Sequence, residues 1–398
     1  MVINNKMKKV IFISIVVITS ISCLNAQTTD KEIKFGGRIM YDMATWGSDD
    51  FENAGSEFRR VRFFNSGKLF GYTKYKLQID YSSGNISYKD VWIELGGLPM
   101  DGSLRVGHFK EPLRLEALTS SKYITFMERA LPIAFSPERN TGAMYQLNLQ
   151  DRISVQAGMF TSFYSKFPTG IFTGIFEGDS YGNDKNAFNN VNATARITYL
   201  LMNHNDRLLH LGAAVRKRKN SDNTYGFSVR PENHLGTKLL TPSFENVDET
   251  NITGLEIAYI SGPLSLQGEY ILTAVSLDPE IEMHSTQYEL NGYYGQVSYF
   301  LTGESRPYKS SYEGFNRVKP KNNYGENGWG AFEIAARVSQ IDLSSVENGT
   351  LDDITLGLNW YLNPNTRVMI NYVMGEMTNY QGDITKENAV MMRVQLDF

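Results

Sequence analysis

Apolar and polar residues alternate in segments of about ten residues along most of this chain. Because successive side chains of a β-strand point to opposite faces of the sheet, this pattern predicts strands with one apolar and one polar face. It is clearest at 73–82, 190–201, 264–274 and 330–341. Only one short helix is predicted, near 121–130. The alternation therefore predicts an all-β protein.

A membrane β-barrel explains this pattern better than a soluble β-protein does. The chain has 398 residues, and its predicted strands are longer than those of a typical β-sandwich. It shows no fixed-period repeat, which argues against a propeller or a solenoid. Beyond residue 26 no apolar run reaches the roughly 18 residues of a membrane helix. A membrane barrel has no such run, because its lumen-facing residues are polar.

Composition and motifs exclude several classes of function. The net charge is −4, from 39 Lys and Arg against 43 Asp and Glu, so a nucleic-acid partner is not expected. Cys23 is the only cysteine, which excludes a disulfide scaffold and a Cys-based zinc or iron–sulfur site. The sequence contains no hydrolase elbow, P-loop or zinc motif. We expect neither a cofactor nor a metal, and a protein that is not an enzyme.

Residues 1–26 are predicted to be an export signal. Three lysines precede an apolar run at 10–18, and cleavage is expected after Ala26. The alternative is that Cys23 is the acylated cysteine of a lipoprotein. Cleavage removes three lysines and no acidic residue, so the net charge falls from −4 to −7. The mature protein would be one barrel domain, 27–398.

Sixteen segments are predicted to be strands, and closed bacterial barrels have an even number of strands. They lie near 33–43, 57–70, 73–82, 86–96, 103–110, 140–149, 152–160, 190–201, 207–217, 251–261, 264–274, 287–301, 330–341, 351–362, 365–377 and 388–398.

The lengths of the links predict which way the barrel faces. If both termini are periplasmic, several links of a few residues fall on the periplasmic side, and long links at 111–139, 161–189 and 218–250 fall outside. Two features fit this scheme poorly. Residues 302–329 form a long link on the periplasmic side, and strand-like residues 223–230 must be placed within a loop to keep the count even.

The chain ends with an alternating segment whose last residue is Phe398. This end resembles the terminal strand that the outer-membrane barrel assembly machinery recognises. It therefore predicts an outer-membrane location, with that machinery and the outer-membrane lipid as partners.

Three arginines within four residues mark the second predicted strand: Arg59, Arg60 and Arg62. Charged side chains are costly on a lipid-facing strand. If Val61 and Phe63 face lipid, Arg60 and Arg62 face the lumen, and we expect Arg59 near a rim. Stacked lumen arginines would provide a positive track for anions. The alternative is the ordinary mixed charge of a porin lumen.

The link after the fifth predicted strand is too apolar for a solvated loop. Ile124, Phe126 and Met127 would be buried if it folded back into the lumen and narrowed the pore. Between 105 and 129 there are five Lys and Arg against three Glu, so this segment is more positive than the mature chain.

These segments together resemble the phosphate-selective porin O and P family. The resemblance rests on Phe58-Arg59-Arg60 with Arg62, on Gly67 to Gly71, and above all on 107–130 with its Thr119-Ser120-Ser121 step. It implies a trimeric 16-stranded outer-membrane barrel whose third extracellular loop folds inward. It also implies that basic residues, with an acidic residue nearby, bind phosphate in that constriction.

The family pattern is only partly matched at the constriction. Arg59, Arg60, Asp90 and Arg129 match it, whereas Ala117 stands where family members carry a basic residue. Lys122 or Arg114 could substitute for that residue. The complete set of candidate anion-binding and constriction residues is Arg59, Arg60, Arg62, Asp90, Lys110, Arg114, Lys122 and Arg129.

The leading hypothesis is a passive outer-membrane channel that prefers small anions, phosphate or similar ions among them. Two alternatives stay open. The barrel could be a general diffusion porin without strong selectivity, or a component of a secretion or surface-assembly system.

Overall fold

The structure is a computed structural model. It describes residues 31–48, 51–82, 84, 86–161, 191–204, 206–220, 223–279, 287–326 and 328–398. The predicted export signal 1–26 and nearly all of the predicted loop 161–189 lie outside these residues. Within the described ranges, the helices are all too short or too polar to cross a membrane.

Sixteen antiparallel strands of the described chain form a closed barrel, in which each strand pairs with its neighbours and the last pairs with the first. The strands are β1 (Glu32–Gly47), β2 (Asn53–Leu69), β3 (Thr73–Asp80), β4 (Ser87–Leu98), β5 (Gly102–Lys110), β6 (Arg139–Leu149), β7 (Ile153–Thr161), β8 (Val191–His204), β9 (Arg207–Lys219), β10 (Val247–Ser261), β11 (Leu264–Leu277), β12 (Gln287–Phe300), β13 (Ala331–Asp342), β14 (Thr350–Asn363), β15 (Thr366–Thr378) and β16 (Ile384–Asp397). The predicted all-β barrel and its strand number are confirmed.

The barrel has an apolar outside and a polar inside. Phe58, Ile93 and Val215 each expose half or more of their surface on the outer face. Arg337 and Arg393, in contrast, are almost completely buried in the lumen. This inverted distribution is the one that a barrel surrounded by lipid requires.

The start of β1 and the end of β16 lie at one end of the barrel, which we call the terminal end. The links of a few residues that were predicted for this end are found there. The long link 301–330 also starts there, but it folds up into the lumen. Its Tyr312 hydroxyl donates to the carbonyl of Lys110 (2.7 Å), and Arg306 Nη2 donates to the carbonyl of Tyr123 (3.2 Å). The middle of this link, around Arg306 and Tyr312, therefore lies inside the pore.

The strand-like residues 223–230 are not part of the barrel wall. Thr224–Gly226 pairs with Ser243–Glu245 in a short separate hairpin. Placing this segment within a loop was therefore correct.

The helix predicted near 121–130 is wrong. The only α-helix among the described residues is the single turn Leu115–Leu118, and a 3-10 turn follows at Leu131–Phe135. Between them the backbone carbonyls bind wall arginines. Arg367 donates to the carbonyls of Ile124 and Thr125, both at 2.8 Å. Among the backbone N–H groups of 121–130, only that of Tyr123 donates to a nearby carbonyl, that of Ser120, so the i→i−4 bonds of an α-helix are not formed there.

Candidate functional site

Residues 111–138, which we call the constriction loop, lie inside the barrel as predicted. Ile124, Phe126 and Met127 are at most 1% exposed. The Phe126 ring lies against the wall, with the Arg337 guanidinium 4.4 Å from its centroid. Burial of these apolar side chains removes them from water and so favours the inward position of the loop.

A buried carboxylate anchors the start of the constriction loop. Glu111 accepts hydrogen bonds from the Asn192 amide (3.0 Å), the Thr194 hydroxyl (2.6 Å) and Arg216 Nε (3.1 Å). These three donors belong to the wall strands β8 and β9. A charge buried among several donors is well compensated, so this contact fixes where the loop enters the lumen.

A carboxylate of the wall holds the short helix of the loop. Glu269 on β11 accepts from the backbone N–H groups of Leu115 (2.9 Å) and Glu116 (2.7 Å). These are N–H groups that a helix leaves unsatisfied at its start. The helix is therefore fixed against the wall at β11.

A second loop also crosses the barrel, at the end opposite the termini. We call residues 227–240 the mouth loop. Glu232 accepts from Arg337 Nε (2.8 Å), and His234 Nδ1 lies 2.7 Å from a Glu57 carboxylate oxygen. Arg337 is on β13 and Glu57 on β2, so the mouth loop spans the opening above the constriction loop.

A β-bulge in β2 brings two consecutive arginines into the lumen. Met40 on β1 pairs with Arg60, and the next residue, Tyr41, pairs with Phe58, so Arg59 is an extra residue. A bulge of this kind changes the alternation of side chains along the strand. The expectation that Arg59 lies near a rim is therefore wrong, because the bulge turns it inward.

Arg59 and Arg60 have different partners although they are adjacent. Arg59 makes two bonds of 2.8 Å to the carboxylate of Glu128 on the constriction loop. Arg60 is 4% exposed and has Met40 Sδ as a neighbour at 3.8 Å; among the described residues it forms no ion pair, and its Nε has no hydrogen-bond acceptor. Arg60 therefore contributes a positive charge that no direct ion pair with the described residues offsets.

Arg62 and Asp90 belong to ion pairs of the wall. Arg62 Nε donates to Asp80 at 2.6 Å. Asp90 accepts from Lys76 (2.6 Å) and from Arg139 (2.8 Å). A second bulge, in β4, places Asp90 inside, because two residues of β4 oppose one residue of β3 there.

Lys110 occupies the space beside Ala117. Its ammonium donates to the backbone carbonyls of Ala117, Leu118 (3.3 Å) and Thr119 (3.1 Å). These carbonyls lie at the end of the short helix, where a cation is favoured. Lys110 thus lies next to the position where the family pattern has a basic residue, but its three protons are directed to the backbone.

The two residues proposed to replace that basic residue have other partners. Arg114 is 2% exposed and donates to the carbonyls of Ile133 and Ser136. Lys122 Nζ lies 3.1 Å from Asp397 on the last strand. Both side chains therefore hold the constriction loop in place.

Arg129 is paired with an acid of its own loop. It lies 2.5 Å from Glu138 and donates to the carbonyls of Glu116 (3.0 Å) and Thr119 (3.1 Å). Burial alone would raise the pKa of the Glu138 carboxyl, but Arg129, Lys110 and Arg139 hold it well below its usual range. The acid therefore stays ionised and offsets part of the positive charge.

A cavity of about 310 Å³ lies where these groups meet. Arg59, Arg60 and Arg129 line it, as do Glu128 and Glu138. The mouth loop supplies the remaining wall. Of the eight candidate residues, only Arg59, Arg60 and Arg129 line this cavity. Arg62 lies outside it on the same strand as Arg59 and Arg60. The other four lie outside the cavity but close to the constriction loop: Asp90, Lys110, Arg114 and Lys122.

Sequence reasoning missed several charged residues of this region. They are Arg38, Lys76, Glu138, Arg139, Arg230, Glu232, Arg337 and Arg393. Arg393 could have been found, because it has the polar parity of the last predicted strand. Arg230 and Glu232 gave no such signal, because the inward position of the mouth loop depends on contacts with distant strands.

Comparison with known proteins identifies the family. A family model described as "Phosphate-selective porin O and P" matches residues 33–398. The chain belongs to this family. Among curated proteins, Porin O of Pseudomonas aeruginosa is 27% identical over 417 residues, which cover 92% of this chain and 89% of Porin O.

Solved structures show the same fold at low sequence identity. The anion-selective porin from Comamonas acidovorans has a TM-score of 0.57 and 13% identity, with 93% of this chain and 100% of that chain covered. The trimer form of OmpT from Vibrio cholerae also has a TM-score of 0.57, with 12% identity and coverage of 93% and 100%. The porin O and P fold of this chain is therefore that of the outer-membrane porins.

Proposed function

We propose that this member of the porin O and P family is a passive outer-membrane channel that passes small anions in preference to cations. The observation that carries the proposal is the position of Arg60, buried at the constriction and forming no ion pair with the part of the chain that the structure describes. In a partly dehydrated pore, such a charge attracts anions more strongly than it would in bulk water.

The paired arginines keep this attraction moderate. Arg59 is offset by Glu128, and Arg129 by Glu138. A channel needs sites that are favourable enough for an ion to enter and weak enough for it to leave. One guanidinium without a direct ion pair, beside two that are paired with carboxylates, fits that requirement. We assign no catalytic role to any residue here.

Phosphate is one anion that we propose for this channel. Support comes from the family description and from the matching residues Arg59, Arg60, Asp90 and Arg129. Ala117 removes one basic group, and the nearby Lys110 ammonium is directed to backbone carbonyls. We therefore expect only a modest preference for phosphate over other anions.

The test is the reversal potential of the purified protein in planar bilayers under a KCl gradient. In an anion-selective channel the reversal potential has the sign of the chloride equilibrium potential. At a fixed concentration ratio, the magnitude of the reversal potential should decrease as the total salt concentration rises, because salt screens the charge of Arg60. A potential close to zero would favour the second candidate, a general diffusion porin. One observation favours that candidate: several arginines in the constriction region are paired with carboxylates. These carboxylates include Asp90, Glu128 and Glu138.

The assembly and export of the protein are also proposals. The trimer form of OmpT, a protein of the same fold, supports a homotrimer. Cross-linking of membranes should give a species of three times the chain mass that survives heating, whereas the trimer that has not been cross-linked should dissociate on heating. If residues 1–26 are cleaved, N-terminal sequencing of the mature protein should begin at Gln27. A chain that retains residues 1–26 would contradict the export signal.

A further inference from the structure

We propose that the outer part of the link between β12 and β13 is a membrane anchor, which inserts aromatic side chains into the headgroup region of the lipid leaflet at the terminal end of the barrel. This part consists of residues 319–326 and 328–330, which we call the rim segment. It lies outside the pore, so the anchor is independent of the proposed anion preference.

The rim segment carries two exposed aromatic rings. Trp329 exposes 72% of its surface, more than any other large apolar side chain of the described chain, and Tyr324 exposes 48%. The part of the link just before it is different, because Phe315 and Val318 are buried at 1% and 7%. The link therefore passes from the lumen to the outer rim, where it presents apolar rings outward.

A pair of rings on the wall lies beside the rim segment. Phe332 on β13 and Trp360 on β14 point outward, because their neighbours Glu333 and Asn359 are buried in the lumen. The Phe332 and Trp360 rings are stacked, with their centroids 5.8 Å apart. Aromatic residues of this kind form girdles where a barrel wall leaves the hydrocarbon.

The exposed rings continue this lipid-facing surface beyond the ends of the strands. The Tyr324 ring meets the Trp360 ring edge to face at 5.2 Å and lies 6.1 Å from the Trp329 ring. On the other side of the stack, the next outward pair of the wall is Ile334 and Leu358, which are 45% and 40% exposed. One apolar surface thus runs from the wall onto the rim segment, so the lipid that covers the wall is the partner that it fits.

The backbone of the rim segment is fixed to the barrel. Trp360 Nε1 donates to the carbonyl of Trp329 (2.6 Å), and the Tyr324 N–H donates to the carbonyl of Leu362 (2.7 Å). The Lys321 N–H donates to the carboxylate of Glu304 (3.0 Å). These bonds hold the two rings at the rim before any lipid binds, so little order has to be gained on contact.

The chemistry of the rim segment suits the headgroup region rather than the hydrocarbon core. No described residue accepts a hydrogen bond from the Trp329 indole N–H, and tryptophan prefers the interface, where its ring is in apolar surroundings and its N–H is in polar ones. Lys319, Asn322 and Glu326 are exposed on the same segment. Charged side chains would be costly deeper in the bilayer.

The experiment measures quenching of tryptophan fluorescence by brominated lipid. The full-length mature protein is reconstituted in phosphatidylcholine vesicles whose acyl chains carry bromine either near the headgroup or near the chain end. The chain has four tryptophans, and the variant Trp46→Phe with Trp92→Phe keeps Trp329 and Trp360. Adding Trp329→Phe leaves Trp360 alone, and the difference between the two variants is the emission of Trp329. We expect bromine near the headgroup to lower that emission about two-fold, and bromine near the chain end to lower it less.

Trp329→Phe with Trp360→Phe is the matched control, because it keeps two tryptophans that face the lumen. Trp46 packs in a cluster with Met127 of the constriction loop, and Trp92 in a cluster with Leu118 of that loop. Their emission should be quenched more weakly than that of Trp329. If the multiple variants fold poorly, Trp329→Phe alone should reduce the bromine-sensitive share of the wild-type emission.

Quenching of Trp329 that is no stronger than that of the lumen pair would overturn the anchor. Aqueous iodide then identifies what covers the ring. Strong quenching by iodide would place Trp329 in solvent, and protection from both quenchers would place it against a second copy of the chain. The reversal potential tests the proposed function separately, since none of these substitutions lies at the constriction.

Discussion

Arg59 of the barrel wall and Glu128 of the constriction loop form a two-bond ion pair in the lumen, with Nε–Oε1 and Nη2–Oε2 distances of 2.8 Å. The pair has two effects. It ties the loop to β2, and it compensates one of the arginines that the pore presents to ions. Removing the charge of Glu128 therefore tests how far the anion preference is limited by acids of the loop.

Glu128→Gln should increase anion preference, because Arg59 then adds a positive charge to that of Arg60. At low salt we expect the anion-to-cation permeability ratio to rise roughly two- to five-fold, and less at high salt. The measurement is the reversal potential under a KCl gradient. Glu376→Gln, at an exposed position near the turn between β15 and β16 at the mouth end of the barrel, is the control and should change the ratio little. An unchanged ratio in Glu128→Gln would mean that ions do not pass near Arg59.

Moderate acid should not imitate this substitution. Burial would raise the pKa of the Glu128 carboxyl, but Arg59, Arg60 and Arg393 hold it well below its usual range. An acid with a lowered pKa stays ionised until the pH falls below the usual range for a glutamate. Selectivity should therefore be constant between neutral pH and about pH 5. A rise in anion preference over that interval would show that the carboxyl already binds a proton there.

Replacing Arg60 and Arg129 together by Ala should lower anion preference, most visibly at low salt. The structure predicts different effects for the two single variants. Arg60→Ala removes a charge that has no direct ion pair among the described residues. Arg129→Ala removes a charge and also deprives Glu138 of its contact with Arg129. Adding Glu138→Gln to Arg129→Ala should restore most of the anion preference that Arg129→Ala loses. The reversal potential and phosphate block of the chloride current measure both effects. A double variant with wild-type selectivity would contradict this mechanism and leave the barrel intact.

The strands could be predicted because the lumen and the lipid impose a period of two on every wall segment. Arg59 shows where this reasoning fails. One extra residue in β2 changes the alternation, and residues 56–66 contain no glycine or proline that would indicate a bulge. The position of one key arginine was therefore predicted wrongly although its strand was correct.

The inward loops differ in how far the sequence could reveal them. Phe126 and Met127 require burial, so the constriction loop was predictable from its own composition. The mouth loop depends on single polar contacts with distant strands, such as Glu232 with Arg337. Contacts between residues about a hundred positions apart leave no local pattern. For the same reason, the sequence did not indicate that the long link predicted at 302–329 on the periplasmic side folds into the lumen.

Labelling of cysteine variants should confirm the depth of the constriction loop. Thr125 is 2% exposed, whereas Tyr380, in the turn between β15 and β16, is 60% exposed. A bulky impermeant thiol reagent should therefore label Thr125→Cys far more slowly than Tyr380→Cys. Cys23 is the only native cysteine and would be removed with the export signal. Equally fast labelling of the two variants would mean that the loop stands in solvent.

Gly357→Leu should displace the constriction loop. A Cβ atom at Gly357 would lie 3.0 Å from Cε1 of Phe126, so a larger side chain cannot fit without moving that ring. Overpacking of this kind typically costs about 1–3 kcal/mol. We expect a larger or noisier single-channel conductance, and recovery when Phe126→Ala is added. Gly295→Leu is the control, because a Cβ there meets nothing within 4 Å. Wild-type conductance in Gly357→Leu would argue that Phe126 does not hold the loop.

Deletion of Phe398 should reduce the yield of folded protein in the outer membrane. In the closed barrel the Phe398 carbonyl accepts from the Gly37 N–H (2.9 Å), and the Phe398 ring lies 6.2 Å from that of Phe63. These contacts belong to the seam where β16 meets β1. Loss of one residue there should cost little once the barrel is closed, because ten residue pairs of the seam remain. A large loss of yield in cells, with normal refolding in detergent, would therefore indicate recognition by the assembly machinery.

Phe35→Ala is the matched control, since Phe35 is an equally exposed phenylalanine of the outer face, at 60% against 55% for Phe398. Equal yields of the deletion variant, the control variant and the wild type would show that Phe398 is not needed as an assembly signal.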